Sequence, residues 1–299
     1  MTDEGVSIIM PAYNAGQTIQ QAIQSVVDQT HQRRELIVID DGSSDDTAAI
    51  VRGFGEAVRY HRQQNAGPAV ARNCGIRLSR FPWVAFLDAD DVWLPEKLST
   101  QLEAVGKSGA RAVYTNCRNF GSIDRVAEFR SEQPMPSGDV FEDLLHDNFL
   151  TLSTLMIRRD ALRAANGFLS EMTGAEDWDL WLRLAADGVE FEPVAEPLVL
   201  YRWQDNSFSK NNERMTRMRA ITVEKALRSP RGRQLRWKTR REARANATAT
   251  SAWFTSPSSV SSATWLYLKA SATSPWTTAH WKGLARHLLR SLNRFARPA

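Results

Sequence analysis

Short runs of purely apolar residues alternate with stretches in which apolar residues recur every three or four positions. Val6-Ser7-Ile8-Ile9-Met10 reads as a first strand, and Ile19, Ala22, Ile23, Val26 and Val27 follow at helical spacing. Leu36-Ile37-Val38-Ile39 is a second buried strand, closed by Asp40-Asp41-Gly42-Ser43-Ser44. A helix is predicted over 45–54, with Ser43 or Ser44 placed to cap it. A short strand at 58–61, a helix over 68–78 and the strand Trp83–Leu87 come next. Then follow a helix over 95–105, a strand over 112–116, irregular chain over 119–140 and a helical pattern over 141–149. A strand over 152–157, a helix over 176–187 and a last sheet segment at 198–201 precede a helical remainder from 212 onward. Strands apolar on both faces, alternating with helices, predict an α/β fold with a mainly parallel central sheet and a C-terminal helical extension.

Composition is ordinary for a soluble globular chain, at 42% hydrophobic and 24% charged over 299 residues. Charge is not evenly spread. Residues 229–299 carry 13 Lys/Arg against the single acid Glu242, a balance of +12, so a net +4 overall leaves −8 for residues 1–228. An acidic body, 1–228, and a basic helical extension, 229–299, are the expected domains. Cys74 and Cys117 have no metal-ligand spacing and imply no disulfide framework, which points to a reducing compartment and a cytoplasmic location. Asp3 and Glu4 replace the basic start of a secretory signal. The longest uncharged stretch, Ala245–Leu268, contains Pro257 and many Ser and Thr and makes a poor membrane span.

The alternating pattern also suits a dinucleotide-binding fold, but Pro11-Ala12-Tyr13-Asn14-Ala15-Gly16 stands where its glycine-rich turn would be, and no Gly-Lys-Ser/Thr loop is present. If phosphates bind, a cation must neutralise much of their charge. Trp83-Val84-Ala85-Phe86-Leu87-Asp88-Ala89-Asp90-Asp91 delivers carboxylates to the carboxyl end of a strand, where open α/β sheets keep ligands. Hard cations such as Mg²⁺ and Mn²⁺ take such oxygens together with substrate phosphates. Spacing alone does not decide the matter, since Asp177-Trp178-Asp179 repeats it.

Five segments in order, VSIIMPAYNA (6–15), VIDDGSSDDT (38–47), NAGPAVARNCGI (65–76), FLDADDVWLP (86–95) and GAEDWDLWLRL (174–184), together resemble the family 2 glycosyltransferases of GT-A fold. The resemblance implies inverting transfer of one sugar from a nucleotide-sugar donor, with Mn²⁺ or Mg²⁺ as cofactor and a saccharide or lipid-linked acceptor. It places Tyr13 against the donor base, beside Pro11 and Ala12, and Asp41 on the N–H edge of a uracil-like base. Arg72 would lie near the diphosphate, Asp88 near the ribose, and Asp90 on the metal. Asp177 would be the general base, with Glu176 and Trp178 beside it at the substrate. A base is needed because direct displacement must deprotonate the incoming hydroxyl. The like charges of Glu176 and Asp179 would raise its pKa. Trp178 and Trp181, three apart, fit core packing better than acceptor stacking. Relatives often carry Tyr-Arg-x-His where this chain has Tyr201-Arg202-Trp203-Gln204, and an amide is a weaker metal ligand than imidazole. Membrane spans and a Gln-x-x-Arg-Trp pattern are missing, which favours single-sugar transfer over processive synthesis. The alternatives are a polyprenyl-phosphate sugar synthase and a nucleotide-sugar-binding module without catalysis.

In the tail, Trp281, Leu284, Ala285, Leu288, Leu292 and Phe295 recur at helical spacing, with Lys282, Arg286, Arg290, Arg294 and Arg297 largely off that stripe. Two readings fit: a helix lying on an anionic membrane surface, or one packing its apolar face on the helix near Thr264–Ala270. No nucleic-acid module is present, and nucleic acid is not expected as a partner.

Overall fold

A computed structural model describes residues 4–121, 135–203, 212–255 and 259–295. The chain packs as two compact units, one made of Met1–Val140 and Phe149–Ser207, the other of Phe141–Asn148 and Phe208–Ala299. In this division the helix over 212–228 groups with the C-terminal helices, so the second unit resumes at Phe208, ahead of the charge boundary at 228/229.

The first unit is built on one sheet. Its elements are β1 (Val6–Ala12), α1 (Ile19–Val27), β2 (Arg34–Asp40), α2 (Thr47–Gly53), β3 (Arg59–Arg62), α3 (Pro68–Leu78), β4 (Trp83–Phe86) and β5 (Val92–Trp93). They continue with α4 (Lys97–Ser108), β6 (Ala112–Gly121), β7 (Leu155–Arg158), α6 (Arg159–Ala164), α7 (Glu176–Ala186) and β8 (Phe191–Trp203), while α5 (Phe141–His146) belongs to the second unit. Strand order is β3-β2-β1-β4-β7-β6-β8-β5. The β3-β2-β1-β4 block is parallel, as is the β6–β8 pair, and β7 and β5 run antiparallel to their neighbours. Central β1 puts Ile9 level with Ile37 and Phe86, all three buried. On α1, Ile19, Ala22, Ile23 and Val26 lie on one stripe and are buried in the core shared with β1 and β2.

Three segments depart from the expected pattern. β6 continues through residues 119–121, predicted irregular, because β8 extends alongside it as far as Trp203. The strand expected over 152–157 begins only at Leu155, and Leu152–Thr154 forms a 3₁₀ turn that frees the Ser153 hydroxyl for another task. α2 starts at Thr47, and neither Ser43 nor Ser44 caps it. The Thr47 N–H goes to Asp45 Oδ1 (3.1 Å), while Ser43 Oγ accepts from Asn14 N–H (3.0 Å).

The second unit joins α5 to α8 (Asn212–Arg228), α9 (Pro230–Gln234), α10 (Trp237–Thr255), α11 (Val260–Thr273) and α12 (Thr278–Phe295). Ser229 and Ser259 cap α9 and α11 through their hydroxyls. Ala, Ser and His fill much of its interior: Ala243, Ala252, Ala263, Ala270, Ser251, Ser271, His280 and His287 are buried. Asn246 bridges His146 and His280, and His287 meets the Thr264 hydroxyl at 3.1 Å.

Candidate active site

The loops after β1 and β2 are stitched together at the carboxyl edge of the parallel block. Asp41 N–H donates to the Ala12 carbonyl (2.8 Å), Ala15 N–H to Thr47 Oγ1 (2.8 Å), and Gly16 N–H to Asp45 Oδ2 (2.9 Å). Asn14 turns at φ +49°, a conformation its side chain tolerates, and its Oδ1 accepts from Ser44 N–H (2.8 Å). Pro11 and Ala12 thereby end β1, and Tyr13 projects with its side chain 56% exposed, open to stacking.

Asp41 is buried and already engaged. Its Oδ1 accepts from Gln63 Nε2 (2.7 Å) and Ala66 N–H (2.9 Å), and its Oδ2 from Gly67 N–H (2.8 Å). A carboxylate offers about four acceptor positions, which leaves roughly one for a ligand. Asp41 thus holds the loop that leads into α3. Its neighbour Asp40 accepts from Ser43 N–H and the Tyr60 hydroxyl. Burial pushes the Asp40 carboxyl up, but hydrogen bonds from Tyr60 and Ser43 and the Arg62 charge outweigh it and hold it below the usual carboxylate range.

α3 comes close to β1 because Gly75 has no side chain there; a Cβ would lie 2.3 Å from Ile9 Cγ2. That approach brings Arg72 to the site. Arg72 Nη2 reaches Asp88 Oδ1 at 3.0 Å, Nη1 reaches Glu176 Oε1 at 3.1 Å, and the guanidinium lies 5.5 Å from the Phe168 ring centre. Burial alone would lower its pKa, but the charges of Asp88 and Glu176 raise it, so Arg72 stays protonated. One buried arginine therefore ties the acidic turn after β4 to the start of α7.

The acidic turn is fixed from two sides. Asp91 N–H closes it onto the Asp88 carbonyl (3.1 Å). Ser153 Oγ accepts from Asp88 N–H (3.1 Å) and donates to Asp91 Oδ2 (2.5 Å). From β8, Arg202 N–H donates to Asp91 Oδ1 (2.9 Å), and Arg202 Nε to the Asp90 carbonyl (2.7 Å). Burial, then the Asp88 charge, push the Asp90 carboxyl up to about 6, and the same two causes raise Asp91 well above the usual range. Carboxylates crowded this way favour a cation among them. Among the described residues no group of three or more His, Cys, Asp or Glu could hold a metal by itself. Asp90, crowded by Asp88, fits an ion that takes one or two protein oxygens and completes its shell with phosphates and water, as Mg²⁺ and Mn²⁺ do.

α7 carries the third part. Glu176 is buried, with Oε1 on Arg72 and Oε2 accepting from Gly174 N–H (2.6 Å). Asp177 sits in the first helical turn, where its Oδ1 accepts from Trp178 N–H (2.6 Å), and its charge acts on both Arg72 and Tyr201. Its acidic neighbours are paired, Glu176 with Arg72 and Asp179 with Arg183 (2.7 Å). Trp178 is 3% exposed and Trp181 fully buried, which supports core packing for both and leaves Trp178 without an open face for substrate.

The structure thus gathers Arg72, Asp88, Asp90, Glu176 and Asp177, while Tyr13 and Asp41 belong to the neighbouring loops of the same edge. Sequence reasoning overlooked Ser153, Asp91 and the backbone role of Arg202. It also overlooked Tyr201, whose hydroxyl is pushed up by burial and by the charges of Asp91, Asp88, Asp90 and Asp177. Asp91, third in the acidic run, and the Tyr201-Arg202 pair left a visible signal, whereas Ser153 left none. Gln204 lies outside the described residues.

A model of glycosyl transferase family 2 matches residues 7–165. The chain is 34% identical over 189 residues to the UDP-Glc:alpha-D-GlcNAc-diphosphoundecaprenol beta-1,3-glucosyltransferase WfgD of Escherichia coli, covering 62% of this chain and 72% of that protein. It is 30% identical over 214 residues to the putative teichuronic acid biosynthesis glycosyltransferase TuaG of Bacillus subtilis (strain 168), covering 69% and 82%. Another relative, 31% identical, is much longer, and the match spans 27% of its length. The fold is similar to that of S. aureus TarS 1-349 in complex with UDP-GlcNAc, with a TM-score of 0.71 at 15% identity over 95% of this chain and 89% of that one. The chain belongs to glycosyl transferase family 2, and its α/β fold is of the GT-A type.

Proposed function

We propose that this chain moves a single sugar, with inversion, from a UDP-sugar to a hydroxyl of a lipid-linked saccharide in the synthesis of a surface polysaccharide or glycolipid. The observation that carries the reading is the bridge made by Arg72, which joins the acidic turn of Asp88 and Asp90 to the helix start bearing Asp177. Donor-side and acceptor-side groups are thereby held in one fixed frame, the positioning on which displacement chemistry depends.

In this reading the exposed Tyr13 ring stacks on the base, and the remaining acceptor position of Asp41 reads its N–H edge. Asp88 faces the ribose, and Asp90 would hold Mn²⁺ or Mg²⁺. When bound, that ion supplies neutralisation of charge on the nucleoside diphosphate. Asp177 accepts the proton of the acceptor hydroxyl as its oxygen bonds to the anomeric carbon. The bond from that carbon to the diphosphate oxygen breaks on the opposite face, and because the nucleoside diphosphate leaves as an anion without protonation, no second acid is required. The uridine donor and the lipid-linked acceptor rest on what WfgD and the TarS complex are named for. A polyprenyl-phosphate acceptor would call for cationic groups next to Asp177, and the nearby Arg72 is already committed to Asp88 and Glu176.

The test is a panel of nucleotide sugars with Mn²⁺ or Mg²⁺ and an undecaprenyl-diphosphate-linked sugar, with product configuration read by NMR. Turnover with a UDP-sugar and an inverted anomeric centre is expected. A retained configuration would sink the single-displacement scheme, and full activity in excess chelator would remove the metal.

A further inference from the structure

α12 is strongly amphipathic in sequence, yet most of the stripe residues described over 281–289 are exposed. The positions turned inward are His280, Leu284 and His287, one turn apart along one face. Leu284 packs with Ala252 and Tyr267, His280 meets Asn246, and His287 meets Thr264. Trp281, Leu288 and Leu289 are exposed, Leu289 at 61%. Lys282 and Arg286 are exposed among them. α11 repeats the arrangement: Trp265 is 60% exposed and Leu268 48%, with Lys269 Nζ 5.1 Å from the Trp265 ring centre. Among the stripe residues whose burial is described, Leu284 packs inward while Trp281, Ala285 and Leu288 face outward.

We infer that the outer faces of α11 and α12 form a docking surface for an anionic lipid bilayer. Three features select that occupant. Trp and Leu beside Lys and Arg is the composition of helices that lie in a headgroup layer, with indoles at the boundary and cationic heads in water. No Asp or Glu occurs after Glu242, so a negatively charged surface meets no like charge there. A second copy placed face to face would instead bring Lys269, Lys282 and Arg286 against their own kind. No described helix is long and apolar enough to cross a membrane, so the surface lies on the bilayer and not through it.

The inference goes beyond the proposed sugar transfer and is tested without it, using the full chain and vesicles that contain no acceptor. Co-sedimentation with phosphatidylglycerol-rich vesicles at low salt should pellet the protein and shift its tryptophan emission to the blue. Pure phosphatidylcholine should bind far less, and high salt should release the protein. Lys282→Glu with Arg286→Glu should weaken binding on the order of tenfold or more. Trp281→Gln, Leu288→Gln and Leu289→Gln together should do the same while circular dichroism and the melting temperature stay near wild type. Leu289→Gln alone serves if the triple change disturbs folding. An intact chain that stays in the supernatant at low salt overturns the inference, as does binding that none of these variants weakens. Self-association lost in the variants, with no vesicle binding in the parent, would assign the face to a second copy instead.

Discussion

The two units of this chain differ in how many large hydrophobic residues they leave exposed. In the sheet unit the large apolar side chains are inside: Ile8, Ile9, Met10, Ile23, Ile37, Phe86 and Phe191 are essentially inaccessible. The helical unit also buries Phe141, Leu144, Leu145 and Leu227, but much of its interior is Ala, Ser and His, and it leaves many large side chains exposed. Of the nine exposed large hydrophobics among the described residues, only Tyr13 lies in the sheet unit, and it stands at the candidate site. The other eight, Ile221, Trp237, Trp253, Trp265, Leu268, Trp281, Leu288 and Leu289, all lie in the helical unit. Exposed apolar surface thus stands at the candidate site in one unit and includes the proposed docking face in the other. A globular chain scatters such residues singly, and a concentration in one quarter of the sequence signals an interaction.

The sharpest break of that comparison is chemical. If the sheet unit holds the reaction, Asp177→Asn keeps the shape of the site and removes the proton acceptor. Transfer should fall by a factor on the order of 10²–10⁴, equivalent to about 3–5 kcal/mol of barrier, with donor affinity retained. Steady-state rates beside calorimetric donor binding read both halves. Wild-type rates in this variant would remove Asp177 from the mechanism. Trp281→Gln, in the other unit, should leave the rate on a soluble acceptor unchanged.

How much of this was legible before the structure follows the same division. The parallel block could be read because β1, β2 and β4 are buried on both faces and so appear as unbroken apolar runs. The outer strands could not. β5 is two residues long and exists through its pairing with Leu200 and Val199. β8 carries Pro193 and Pro197, which look like turn residues, and tolerates them by shifting register against β6 after Thr115 and again after Asn116. At the site, Asp88, Asp90, Glu176 and Asp177 stood out as acids at element ends. Ser153 could not, because a serine becomes a clamp only when a chain folded 65 residues away presents the Asp88 N–H. In the tail the charge split and the helical period were plain, but not which half of α12 faces in, since that depends on where Asn246 and Thr264 offer partners.

Next in size is the core itself. Ile8→Ala removes a fully buried side chain from the central strand and should cost about 2–5 kcal/mol, the range for such cavities. Denaturant titration measures it. A loss below roughly 1 kcal/mol would mean that the sheet unit is far less tightly packed than its burial implies.

A smaller effect, with a pH signature, belongs to Asp40. Its carboxyl is held below the usual range in the folded chain, so the unfolded chain takes up a proton first as pH falls. The stabilisation is in place above the unfolded value near 3.8 and is lost as pH drops through the lower folded value. Asp40→Asn keeps an acceptor for Ser43 but loses the charge assistance. It should cost on the order of 1–2 kcal/mol at neutral pH and flatten the acid limb of the stability curve. Unfolding followed from pH 7 downward checks it, and parallel wild-type and variant curves below pH 4 would exclude Asp40 as a source of acid sensitivity.

The smallest expected effect sharpens the contrast most. Leu289→Ala deletes as much apolar volume as many core truncations, but from a side chain that is 61% exposed in the folded chain. Little burial exists to be lost, and alanine is the better helix former, so the stability change should stay within about 0.5 kcal/mol of zero. The same substitution at buried Leu36, on β2, should cost several times more, on the order of 2–5 kcal/mol. Paired melting curves in vesicle-free buffer make the comparison with one residue type and one chemical change. Were Leu289→Ala to destabilise the chain as much as Leu36→Ala, the outer face of α12 would be covered in solution, and the contrast in exposed apolar surface between the two units would disappear.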